Sequence, residues 1–127
     1  MTEEQKPATI LCVAYDEHVQ RMLGRALDRI GYTVMYAGDS EEARPKISQS
    51  NLIISDITNG GFDLVTYVKA NYQTVDVVLM DGGGHDQEKI ERAKELGAFF
   101  IEKPFSPTGL VELVSRIIPQ HLKPGKK

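Results

Sequence analysis

The stretch Leu52-Ile53-Ile54-Ser55-Asp56 carries the reading of the fold. Four residues, mostly apolar and β-branched, are too few for a helix and end on a carboxylate. That is the pattern of a strand buried on both faces that delivers a charge at its carboxyl end. A second run of the same kind, Phe99-Phe100-Ile101-Glu102, is closed by Lys103-Pro104. Working outward, strand-like runs fall at about residues 8–14, 32–37, 51–56, 75–80 and 98–102. Helical spacing fills the gaps. Val19, Met22, Leu23, Ala26, Leu27 and Ile30 recur at threes and fours and stop at Gly31, a residue suited to a helix C-cap. Ile90, Ala93 and Leu96 lead to Gly97, and Leu110, Leu113, Val114, Ile117 and Ile118 follow Ser106-Pro107, an N-cap and a first-turn proline. Residues 41–50 predict a weak helix interrupted by Pro45, and 62–71 a short one. Strand and helix alternating five times with short connections predict an α/β fold. Its sheet is parallel, five-stranded and doubly wound, in the order 2-1-3-4-5, with helices on both faces.

The 127 residues, 41% of them apolar, suffice for one core and not two. The expectation is a single domain over 1–127, with its core at about 8–118 and flexible tails at 1–7 and 119–127. Fifteen Lys and Arg against eighteen Asp and Glu leave a net charge of −3, and the one basic stretch is Lys123-Pro124-Gly125-Lys126-Lys127. No nucleic-acid partner is expected from such a balance. Nor is a membrane partner, because no apolar run approaches the length of a bilayer span. The single Cys12, set in an apolar run, cannot form an internal disulfide and points to a reduced, cytoplasmic compartment. Gly82-Gly83-Gly84 lacks the spacing of a phosphate-binding loop and is expected to be a mobile switch loop. His18, His85 and His121 lack metal-ligand spacing.

Two charges, Asp56 and Lys103, at the carboxyl edge of one parallel sheet form a candidate phosphoryl site. Taken with Ile10-Leu11-Cys12-Val13, Gly31-Tyr32, Gly60-Gly61-Phe62-Asp63, Leu96-Gly97-Ala98 and Lys103-Pro104-Phe105, they make the chain resemble a response-regulator receiver domain from about residue 8 to 118. The resemblance implies phosphorelay signalling in a two-component system. Asp56 would accept a phosphoryl group from a histidine kinase or phosphotransfer protein, and Lys103 would bridge to it. Phe100 would be the switch aromatic, and helix 4, strand 5 and helix 5 would form the surface that a downstream protein partner reads. Such a chain is a switch and not an enzyme.

The match departs from the family at the chemistry, so the acidic pocket is expected to be degenerate. Ala14-Tyr15 stand where receivers carry the adjacent acids that hold Mg²⁺, and Asp81 stands where they carry Thr or Ser. The remaining metal set would be Asp16, Asp56, Thr58 and Asp81, with Mg²⁺ weakly bound or absent. Asp16 is open to two readings, a metal ligand or the N-cap of the first helix; Asp63 is expected to cap the helix at Leu64. Asp81 is expected to join Asp56 and Lys103 in a charged cluster that biases the resting state, which makes it a switch residue with Phe100. Two other functions remain open: a pseudo-receiver that docks proteins without phosphorylation, and a flavodoxin-like small-molecule binder.

Overall fold

In the computed structural model, which describes residues 7–58, 60–81, 87–102 and 106–123, one parallel sheet runs in the order β2-β1-β3-β4-β5. The strands are β1 (Thr9–Val13), β2 (Thr33–Ala37), β3 (Leu52–Asp56), β4 (Asp76–Asp81) and β5 (Phe99–Glu102). The helices are α1 (Glu17–Ile30), α2 (Ser40–Ala43), α3 (Gly61–Asn71), α4 (Gln87–Glu95) and α5 (Pro107–Ile117). Each strand sits within two residues of its expected place, and the predicted order holds.

Alternation along the strands explains the two layers. Leu11, Val13, Ile53, Val77 and Leu79 face one way and pack under Ala43, Ile47, Leu64, Val65, Val68 and Ala93 from α2, α3, α4 and the 3-10 helix Arg44–Gln49. Ile10, Cys12, Leu52, Ile54, Val78 and Met80 face the other way and meet Leu23 and Leu27 of α1 and Leu110 and Val114 of α5. With the strands covered on both sides, each fully buried Leu or Ile contributes roughly 1.5–3 kcal/mol. The helix ends follow the sequence signals. Gly31 caps α1 at φ 116°, and Ser106 Oγ accepts from the Gly109 N–H at 2.9 Å at the start of α5. The interruption at Pro45 is visible too: α2 stops at Ala43 and the chain tightens into the 3-10 helix, since proline has no N–H to continue the α pattern.

Residues 119–123 depart from the expected tail. Gln120–Leu122 form a 3-10 turn, Leu122 packs against the α1/α5 layer, and its carbonyl accepts from the Ala8 N–H at 2.8 Å. The apolar leucine has somewhere to go because strand 1 begins beside it. At the outer edge, the Ala37 carbonyl turns inward to the Ala14 N–H, so that of Tyr36 turns out. Lys46 Nζ donates to the Tyr36 carbonyl at 2.6 Å and stands 3.5 Å from Glu42. No helix among the described residues is long and apolar enough to cross a membrane.

Cys12 lies in the centre of the sheet, fully buried, and burial pushes its thiol from an ordinary 9.0 up to about 12. The folded thiol therefore keeps its proton where the unfolded one loses it. Its contribution to stability is whole below about pH 9 and is lost between pH 9 and 12. Relative to Cys12→Ala, the wild-type unfolding free energy should be offset by a constant below pH 9. Above that it should fall by about 1.4 kcal/mol per pH unit, read from urea titrations across the pH range.

Candidate functional site

The site is built at the carboxyl edge of β3 and β4. Asp56 pairs in register with Met80, and the Ile57 N–H donates to the Met80 carbonyl at 2.9 Å, so the sheet holds the backbone one residue past the acid. Asp81, the last residue of β4, lies one step beyond Met80 and is 8% exposed. The two carboxylates thus sit on neighbouring strands at one edge. By alternation, Asp56 continues the face of Leu52 and Ile54, and Asp81 that of Val77 and Leu79. On β5, Phe100 pairs in register with Leu79 and is half-buried against the same layer, while the adjacent Phe99 is exposed.

Strand 1 brings no acid to this edge. Ala14 is buried, and Tyr15 stands 79% exposed. Gln20 Nε2 fastens the junction by donating to the Ala14 carbonyl at 2.7 Å and more weakly to that of Ala37 at 3.4 Å. Asp16 is the N-cap of α1: its Oδ1 accepts from the His18 N–H at 2.8 Å, in an exposed position. The capping reading is the one realised, because β1 ends at Val13 and strand alternation no longer governs residue 16. Thr58 is exposed after β3, and Asp63 falls inside the first turn of α3, whose N-cap is Gly60 rather than a side-chain oxygen. Asp63 therefore complements the positive end of that helix without capping it. Among the described residues, no three His, Cys, Asp or Glu come together as a metal site. Lys103 and the Gly82-Gly83-Gly84 loop lie outside the described residues, as does the expected Asp56–Lys103–Asp81 cluster.

Two residues that shape the site gave no chemical signal in the sequence. Gln20 reads as one polar position on a helix. Gly61 reads as a turn residue, yet a Cβ there would run into the Asp56 carbonyl oxygen. Only glycine lets α3 begin this close to the end of β3.

No family model matches the chain. It is 27% identical over 128 residues to Protein PetR of Rhodobacter capsulatus, covering 95% of this chain and 54% of PetR. A chain from Chloroflexus aurantiacus assigned as a response regulator superposes with a TM-score of 0.80 at 32% identity, covering 88% of this chain and 98% of that one. This chain belongs to the receiver domains of response regulators. The chemotaxis response regulator CheY4 of Vibrio cholerae has the same receiver fold, at TM-score 0.80 and 27% identity over 89% of this chain and all of CheY4. The receiver domain described here thus spans about half the length of PetR, 54%.

Replacing Gly61 with Ala should lower stability by about 1–3 kcal/mol, since the clash is with rigid backbone, and should shift the NMR resonances of Asp56. Gly109→Ala serves as the control. A Cβ there meets only Ser106 Oγ at 3.2 Å, and stability should change by less than about 1 kcal/mol.

Proposed function

We propose that this receiver domain is a switch in two-component signalling whose acceptor is Asp56. A histidine kinase or phosphotransfer protein supplies the phosphoryl group, transfer is slow, and the domain is not an enzyme with its own substrate. The observation that carries the reading is the register of Asp56 with Met80, which fixes Asp56 at the carboxyl edge, where parallel sheets bind ligands, on the strand next to that of Asp81. In the transfer, a carboxylate oxygen of Asp56 attacks phosphorus, and the bond from phosphorus to the donor's leaving atom breaks. Negative charge gathers on the phosphoryl oxygens, and cationic or hydrogen-bonding groups are needed around it. Asp81 works against this: a second carboxylate near the phosphoryl position repels it where a hydroxyl would donate to it. Buried Ala14 offers nothing in compensation. The output is a changed protein-docking surface on α4, β5 and α5, reached through Phe100.

A second reading is favoured by one observation. With Ala14 buried, Tyr15 in solvent and Asp16 spent on a cap, strand 1 gives the pocket no carboxylate. On this reading the domain docks its partner without a phosphorylation cycle, as a pseudo-receiver.

Incubation with acetyl phosphate and Mg²⁺, followed by intact-mass analysis, separates the two. The acceptor reading expects partial labelling that vanishes in Asp56→Asn and rises in Asp81→Thr; no labelling of either the wild type or Asp81→Thr leaves the pseudo-receiver. Calorimetry should give a Mg²⁺ affinity no tighter than about 1 mM. Adding both carboxylates through Ala14→Asp and Tyr15→Asp should tighten it by about tenfold, ~1.4 kcal/mol.

A further inference from the structure

We propose that Glu102 positions the Asp81 carboxylate and thereby helps to set how readily Asp56 takes a phosphoryl group. The register carries this. β4 and β5 pair with Leu79 opposite Phe100, Met80 opposite Ile101 and Asp81 opposite Glu102. Residues paired in register on neighbouring parallel strands share a face, and the two apolar layers bear that out here. Leu79 and Phe100 belong to the layer under α3 and α4, while Met80 and Ile101 belong to the layer under α1 and α5. Asp81 and Glu102 therefore return to the first face together. Asp56 pairs with Met80 and continues the other face. The acid in register with Asp81 is thus Glu102, not Asp56.

Neighbouring strands lie about 4.8 Å apart, so two side chains in register on one face are direct neighbours. Asp81 is 8% exposed, and Glu102 is half-buried with its Oε2 shut off from solvent. Two carboxylates placed in this way repel one another, and water and salt screen them less than they would a surface pair. The strand order gives the repulsion a direction. Because β4 lies between β3 and β5, Glu102 stands across β4 from Asp56 and biases the Asp81 carboxylate toward β3, the strand of the acceptor. Phe100 lies two residues before Glu102 on the same face of β5, so the strand that carries the switch aromatic also carries this charge. Glu102 acts through Asp81 and is a positioning residue.

The inference rests on Asp56 as the acceptor, and two measurements keep the claims apart. Urea unfolding of the wild type, Asp81→Asn, Glu102→Gln and the double variant needs no phosphoryl chemistry. Glu102→Gln should change the folding constant more favourably with Asp81 present than in the Asp81→Asn background, by up to about fivefold, the upper range of a cross-strand pair. Labelling with acetyl phosphate and Mg²⁺ gives the second readout. Asp56 labelling should rise by up to about fivefold in Glu102→Gln, stay slow in Glu102→Asp, and gain nothing from Glu102→Gln in the Asp81→Thr background. A merely structural role expects the reverse order, since Gln keeps the shape of Glu and Asp keeps only its charge. Additive unfolding effects, coupling of the opposite sign, or an equal rise in the Asp81→Thr background overturns the proposal. Absence of labelling in every variant removes the acceptor reading and the rate effect with it, whereas the unfolding cycle alone decides whether Glu102 positions Asp81.

Discussion

Burial of the central strands on both faces is the constraint from which the rest of this molecule follows. β1, β3 and β4 are hydrogen-bonded on each side and covered above and below, so their side chains must be apolar until the sheet ends. Ser55, the one hydroxyl inside β3, donates a hydrogen bond to the neighbouring Asp56 carbonyl at 2.9 Å. Ionised groups are admissible only where water returns, at the strand tips, and the parallel direction places those tips together. The arrival of Asp56 and Asp81 on adjacent strands at one edge is thus a consequence of core packing as much as of chemistry. The same packing leaves each tip free to vary without disturbing the fold.

That separation explains what could be read from the residues alone. Period-two burial is interpretable in Leu52–Ile54 and Val77–Met80, because every side chain there answers to one of two apolar layers. It loses its meaning at residue 14. Beyond Val13 the chain follows helix initiation, so whether Asp16 caps or ligates depended on backbone geometry that no spacing rule supplies. The terminal segment posed a similar difficulty: Leu122 in a polar stretch reads as a tail until strand 1 is seen to offer its Ala8 N–H as an anchor. Gly61 was invisible for the opposite reason. Its importance lies in an atom it lacks, and what that atom would strike belongs to a residue five positions earlier.

The surface has its own division. On α1, Asp28 lies in a cleft on the β2 side that Arg21 and Arg25 also line, and Arg29 turns to α5. Opposite charges therefore adjoin on one helix, and Arg21 pairs with Glu17 at 3.6 Å. On the α3 side, cations are spent differently: the Arg92 guanidinium stacks 4.8 Å above the Phe62 ring and ties α4 to α3, and Arg44 lies 4.6 Å over Tyr67. These arginines serve internal cohesion.

Lys46 has a consequence at the rim of the sheet. Among the described residues β2 has no neighbour beyond it, and an outward carbonyl on such a strand is an invitation to a foreign strand. With its ammonium seated on the Tyr36 carbonyl and steadied by Glu42, Lys46 takes the acceptor that an incoming chain would need first. Any approaching segment must also desolvate a cation. The open side of β2 thus offers an incoming strand one acceptor fewer, taken up by a single flexible side chain.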